Sequence, residues 1–179
     1  LAPTMLASGV DMFGVASIDE ALNLRENGVT AEILILGAAP VWALPTVVEN
    51  NLTITIFSED HLDSCIQTYE RTKIPVKAHI KLDTGMNRIG VSHKNAVEFI
   101  KKVQSMECID LKGIFSHLAN AEIKEKTEQQ LAVWEDVISK VNTEGLLLHI
   151  LNTAGIITSN VYKCTYNMVR GGIGLYGLY

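Results

Sequence analysis

The sequence predicts an α/β fold, an incomplete (β/α)8 TIM-type barrel carrying about seven of eight βα units. Three observations point there. Strand-like and helix-like segments alternate, with strand starts roughly twenty to thirty-five positions apart, the spacing of βα units. Polar residues collect where strands end, at Asp83, His117, Asn152 and Arg170, and in a barrel those C-terminal ends form the active-site rim. The phosphate-loop motifs of open doubly wound sheets are missing: no G-x-G-x-x-G follows the first strand, and there is no Walker sequence. Alternation alone also allows the open sheet; the last two observations favour the barrel.

The elements follow in order. "MFGVAS" (Met12 to Ser17) reads as a strand, and "IDEALNLRENG" as an amphipathic helix stopped by Gly28. "EILILG" is a continuous apolar strand, then a helix around "VWALPTVVEN" carries Pro45. "LTITIFS" is a strand whose Ser58 is placed to cap the helix "EDHLDSCIQTYERT". "VKAHIKLD" is a strand, and "KNAVEFIKKVQSM" a helix. "LKGIFSHL" is a strand before the longest helix, "KTEQQLAVWEDVISKVNTEG", closed by Gly145. "LLLHIL" is a strand, "TAGIITSN" a helical turn, and "NMVRGGIGLY" a seventh strand. Seven strands do not close an eight-stranded barrel, and "LAPTMLASGVD" reads as a helix tail entering the first of them, so the absent unit is expected at the N-terminus. No low-complexity linker divides residues 1–179, which are read as one partial barrel domain.

Composition narrows the function class. At 47% hydrophobic and 20% charged, the 179 residues suit a soluble domain with a sizeable core. A net charge of -5 and a pI near 5.5 give no nucleic-acid footprint. No apolar run approaches the roughly 18 residues of a membrane span. Cys65, Cys108 and Cys164 are odd in number and scattered, which argues against a disulfide framework or a zinc site and fits a reducing cytoplasm.

The stretch "VKAHIKLDTGMNR" carries the strongest chemical signal. Alternation puts Val76, Ala78, Ile80 and Leu82 on one face of the strand and Lys77, His79, Lys81 and Asp83 on the other. In a parallel barrel both faces are covered, so the second set points inward, where unpaired charge is costly. Such a row requires charges paired with each other or with a charged ligand. A half-solvated antiparallel strand is the plainer alternative.

"KLDTGMNRIG", "SHLANAE", "LNTAG" and "NMVRGGIGLYGL" resemble, in order and spacing, the motifs of bacterial alanine racemases, and "FGVASIDEALNLRENGV" followed by "ILILGA" is similar to that family's early barrel. The resemblance covers the whole chain. It implies a pyridoxal 5′-phosphate (PLP) isomerase of the cytoplasm, a homodimer with an N-terminal barrel and a C-terminal β domain. Such an enzyme interconverts L- and D-alanine, supplying D-alanine for peptidoglycan. Position by position, Arg170 matches the arginine at the cofactor's pyridine nitrogen, and His117 a histidine beside that ring. Gly172 and Ile173 match backbone positions at the phosphate, as do Asn152 and Thr153. Arg88 matches the arginine beside the cofactor's 3′-oxygen and the substrate carboxylate; Lys81 matches a lysine, often carbamylated, that holds this arginine. Gly171, Asn87 and Glu122 depart from the pattern. The Schiff-base lysine and the tyrosine base of the family match nothing in this chain, and the C-terminal β domain is not represented, so the fragment alone is expected to be inactive.

Each residue also has a plainer reading: a salt bridge at the barrel mouth for Arg170, a core histidine for His117, a helix cap for Asn152 and Thr153, and pairing with Asp83 for Lys81. Three other functions compete with the alanine racemase: a serine or broad-specificity racemase, a non-catalytic PLP-binding barrel, and an unrelated barrel phosphate-ester enzyme.

Overall fold

The computed structural model describes residues 1–158 and 163–178. A first helix, α1 (Ala2–Ala7), leads into β1 (Met12–Val15), as the N-terminal sequence implies. Helix α2 (Ile18–Glu26) starts at Ser17, whose side chain accepts the Glu20 N–H, and ends before Gly28 at φ +80°, where only glycine is unstrained. Strand β2 (Glu32–Ala38) and a 3-10 turn (Val41–Ala43) precede α3 (Leu44–Glu49). Pro45 falls in the first turn of α3, where the N–H it lacks has no intrahelical partner anyway.

Strand β3 (Thr53–Ile56) is followed by α4 (Glu59–Thr72). Ser58 stands at the N-cap as expected but makes no cap hydrogen bond. Its hydroxyl lies instead 2.7 Å from Nδ1 of the buried His61, leaving Glu59 and Asp60 to answer the positive helix end. Then come β4 (Val76–Asp83), the two-residue β5 (Val91–Ser92), α5 (His93–Gln104), β6 (Ile109–Phe115), α6 (Lys124–Ile138), β7 (Leu147–His149) and α7 (Thr153–Ile157). Helix α6 stops at Ile138, well short of Gly145, which serves a separate turn at φ +73°.

The strand order is β1-β2-β3-β4-β6-β7, with β5 paired to β4. Registers are parallel, as in Phe13 opposite Ile33 and Ile114 opposite Leu148. Apart from the short β5, successive strands add at the same edge, without the reversal that defines a doubly wound sheet. The fold class is therefore the singly wound α/β arrangement of an incomplete (β/α)8 barrel. The seventh expected strand does not form. Asn167 and Met168 both donate to the one carbonyl of Leu148, and Arg170 N–H donates to Leu151 O, so this segment lies along β7 without a ladder. Its glycines then turn into a 3-10 segment, Ile173–Tyr176.

The chain divides into two compact units, Leu1–His79 with Met106–Leu111, and Ile80–Ser105 with Lys112–Tyr179. The core of the first is built on Ile33, Ile35, Ile54 and Ile56 under Leu44, Val47 and Leu62, all at most 1% exposed. That of the second uses Ile80, Leu82, Ile114 and Phe115 under Ala96, Ile100 and Trp134, likewise at most 1% exposed. On α5 the buried residues Ala96, Phe99, Ile100 and Val103 follow the i, i+3, i+4, i+7 rule. Both faces of β4 are covered, which removes the half-solvated alternative.

Candidate functional site

The candidate site lies in the second unit, at the C-terminal ends of β4, β6 and β7. Phe115, the last residue of β6, is its floor. Its ring is stacked on His149 from β7 at 4.8 Å, with Lys81 Nζ 5.0 Å and Arg170 Cζ 5.2 Å from its centroid. An aromatic face attracts cations, so one ring places a lysine and an arginine in a space that desolvates both.

Arg170 is held from several sides. It donates from Nη1 to His149 Nδ1 at 2.5 Å, and from Nη2 to Ser116 O at 2.7 Å and to His117 Nδ1 at 3.3 Å. A guanidinium has no acceptor, so both imidazoles must accept at Nδ1 and are neutral, with the proton on Nε2. Burial, then the charges of Arg170, Lys81 and Arg88, pull His117 down to about 4, in agreement with a neutral ring. Burial also lowers Arg170 itself to about 10, which leaves it cationic at neutral pH. The Nε–H and the second Nη1–H of Arg170 bond no protein atom among the described residues.

Three of the four residues of the inward row on β4 resolve individually. Lys77 pairs with Glu32 at 2.9 Å. Asp83 does not bind Lys81: its Oδ1 accepts the N–H groups of Gly85 and Asn87, both at 3.0 Å, and shapes the following turn. Asn87 sits there at φ +56°, a left-handed position that asparagine tolerates better than most residues. Lys81, 3% exposed, has no ion pair among the described residues. Burial, then Arg88 and Arg170, lower its ammonium to about 8, against a small opposing pull from Asp83. Arg88 is exposed on the turn and acts on Lys81 and His117 through its charge.

Beside this cluster is a second one. Asn152 caps α7, accepting Gly155 N–H at 2.9 Å and donating to Leu118 O at 3.2 Å, so the helix-cap reading of this residue holds. Thr153 does something else. Its Oγ1 accepts the N–H groups of Gly172 at 3.0 Å and Gly174 at 3.2 Å, two backbone donors converging on one oxygen. A Cβ on Gly174 would stand 2.8 Å from Thr153 Cγ2, so glycine permits that approach. Ile173 lies between them with its side chain exposed. At Gly171 a Cβ would meet only Leu175 Cδ2, at 3.9 Å.

The structure thus gathers Lys81, His117 and Arg170 around Phe115, and Asn152, Thr153, Gly172 and Ile173 at the glycine turn. Sequence reasoning missed His149 and Phe115. The signal was present in "LLLHIL", where a lone histidine interrupts an apolar strand opposite Phe115 in register. It is read only once β6 and β7 are paired.

Residues 1–179 match the profile of the family described as "Alanine racemase, N-terminal domain". The chain is 38% identical to the alanine racemase of Desulfovibrio desulfuricans over 99% of its own length and 49% of that protein, and 37% identical to that of Methanococcus maripaludis over 97% and 48%. Among solved structures, the alanine racemase of Clostridium difficile superposes with a TM-score of 0.93 at 33% identity, covering 99% of this chain and 47% of that one. A histidine racemase from Leuconostoc mesenteroides superposes at 0.88 with 28% identity, over 99% and 48%. The chain spans about half the length of these relatives. Its motifs, its strand order and these likenesses agree, and the chain belongs to the alanine racemase N-terminal domain family.

Proposed function

We propose that this chain is the cofactor-binding barrel of a PLP-dependent alanine racemase. The observation that carries this reading is Arg170: a guanidinium held by two neutral imidazoles over an aromatic ring, with N–H donors to spare. Those donors suit an incoming acceptor such as a pyridine nitrogen. Lys81, Arg88 and Arg170 also give the site an excess of positive charge that suits a ligand bearing a phosphate and a phenolate. The residues fit PLP on both counts.

When bound, PLP supplies the electron sink that lets an amino acid lose its α-proton. Arg170 would donate to the ring nitrogen and, being the stronger base, keep its own proton, so the nitrogen stays neutral. His117 would flank the ring as a neutral group, adding no competing proton. The backbone N–H of Ile173 and the Thr153 hydroxyl, with the Gly172 N–H shared between Thr153 Oγ1 and the ligand, would hold the phosphate, and Asn152 caps the helix that carries Thr153. Arg88 would bind the substrate carboxylate with a bidentate fork. Lys81, as a carbamate, would reverse its charge and hold Arg88. No residue of these 179 matches either proton-transfer base of the family, so we expect the isolated chain to bind PLP weakly and not to racemise. The full activity would belong to a cytoplasmic homodimer supplying D-alanine for peptidoglycan.

A racemase for another amino acid is the second reading, favoured by the histidine racemase that shares this barrel at a TM-score of 0.88. Assaying the intact protein with L-alanine, L-serine and L-histidine separates the two. Titration with PLP, followed by fluorescence, tests the site itself: saturable binding that Arg170→Glu abolishes or shifts spectrally is expected. Unchanged binding and spectrum in that variant would leave Arg170 as a salt-bridge residue.

A further inference from the structure

We propose that Gln130, on α6, is a positioning residue that fixes the Arg170 and His117 geometry from behind, an inference that rests on the PLP-site reading above. Gln130 is 5% exposed and spends its whole amide on three separate backbone and side-chain groups. Its Oε1 accepts Ala119 N–H at 2.8 Å, while Nε2 donates to His117 O at 3.0 Å and to Thr84 Oγ1 at 3.1 Å. It therefore grips both ends of the turn that carries His117 and ties it to the turn after β4.

The network has a single direction. Ser116 Oγ donates to Leu82 O at 2.9 Å, so in its 2.7 Å contact with Thr84 it can only accept. Thr84 then donates to Ser116 and accepts from Gln130. Every proton is assigned, and the chain Gln130 to Thr84 to Ser116 to Leu82 passes through Ser116, whose own carbonyl accepts from Arg170 at 2.7 Å. Gln130 thus reaches Arg170 through Ser116, and His117 through its carbonyl. Gly85, at φ +135°, packs on the same side chain: a Cβ there would lie 3.3 Å from Gln130 Cγ. A fully satisfied buried network specifies one geometry, and small misplacements near a reacting group are costly in function.

The test compares the intact protein with Gln130→Met, which keeps length and removes every hydrogen bond, and with Leu131→Ala, which removes buried packing from the same helix. Two quantities are read: the PLP dissociation constant, by fluorescence, and the imidazole titration of His117, by NMR without cofactor. Gln130→Met should weaken PLP by about tenfold, the factor that 1.4 kcal/mol represents. It should also move the His117 titration upward, toward that of an exposed histidine. Leu131→Ala should leave both within about twofold even though it lowers the melting temperature. Should Gln130→Met not fold, Gln130→Glu keeps the acceptor for Ala119, loses the donors and should shift both quantities in the same sense. An unmoved His117 titration in a folded Gln130 variant overturns the proposal, and so does an equal shift from Leu131→Ala. Failure of the unmodified protein to bind PLP would refute the cofactor reading alone, since the His117 titration needs no ligand.

Discussion

Replacing Lys81 by methionine should stabilise the protein at pH 7 in carbon-dioxide-free buffer, against the usual direction of core substitutions. Lys81 is 3% exposed, faces Arg88 and Arg170, and its ammonium is lowered from 10.5 to about 8. At about 1.36 kcal/mol per pK unit, that depression costs roughly 3 kcal/mol of folding stability at neutral pH. The Phe115 face at 5.0 Å returns roughly 1–2 kcal/mol. Methionine has similar length and no charge, so Lys81→Met should gain about 1–2 kcal/mol, or roughly 2–8 °C in melting temperature. The sign with pH follows from the lowered value. Below about 8 the lysine is charged in both states and the penalty is complete; between about 8 and 10.5 the folded state is already neutral while the unfolded chain still binds the proton. The penalty therefore recedes as pH rises through that window, and by pH 10 it should fall below about 1 kcal/mol. Urea unfolding of both proteins at pH 7 and pH 10 measures the difference. Bicarbonate adds a second arm. A carbamate on Lys81 would be an anion between two guanidiniums, so wild type should gain stability with bicarbonate and Lys81→Met should not. A variant less stable than wild type at pH 7 without bicarbonate would refute the accounting.

Four further outcomes are expected. Protonation of His117 is resisted down to about 4, so stability should fall as pH drops from about 6.5 toward 4, and His117→Gln should flatten that limb in acid titrations. Arg25 donates to the carbonyls of Val29, Ala31, Asn50 and Asn51 at 2.7–3.0 Å, and Arg25→Met should cost about 2–3 kcal/mol in urea unfolding with PLP affinity unchanged. Gly90→Ala should disorder the turn that carries Arg88, because at φ +136° its Cβ would sit 2.7 Å from Asp83 N; a crystal structure with the turn unmoved would count against this. Asn152→Ala should lose about 1 kcal/mol as a helix cap, while Thr153→Val, which strips the acceptor from Gly172 and Gly174, should weaken PLP more than it lowers stability.

The fold was legible because its elements are locally consistent. Continuous apolar runs such as "EILILG" become strands buried on both faces, and the stop signals act where they stand, as Gly28 does after α2. Two misreadings share a cause. The end of α6 and the failed strand at "NMVRGGIGLY" both depend on what a segment meets, not on its own propensity. Asn167 shows it: its side chain accepts Leu148 N–H at 2.7 Å and donates to Leu146 O at 3.0 Å, taking from β7 the bonds a regular ladder would use. A period-two pattern contains no information about such a competitor.

The candidate site was legible only where one residue type has one use. Arg170 beside glycines, and a lysine on the covered face of a strand, are costly enough to demand a reason, and motif order supplied it. His149 and Gln130 are not costly in the sequence. A histidine in an apolar strand and a glutamine in a polar helix are commonplace, and each gains a role from partners that lie well apart in the chain: Phe115 and Arg170 for His149, Thr84 and His117 for Gln130. The division is physical. Groups that meet a ligand must carry charge or special backbone, which leaves a local mark. Groups that aim those residues need only one neutral donor and one acceptor in the right place, and nearly any polar side chain offers that until the fold chooses its neighbours. Neutrality is the point of contact between the two sets here. The positive charge of Arg170 is left uncancelled because everything that holds it, two imidazoles at Nδ1 and the carbonyls of Ser116 and Ile150, accepts without bringing a counter-charge. A carboxylate in any of those places would satisfy the guanidinium and cancel the positive field that an anionic cofactor requires.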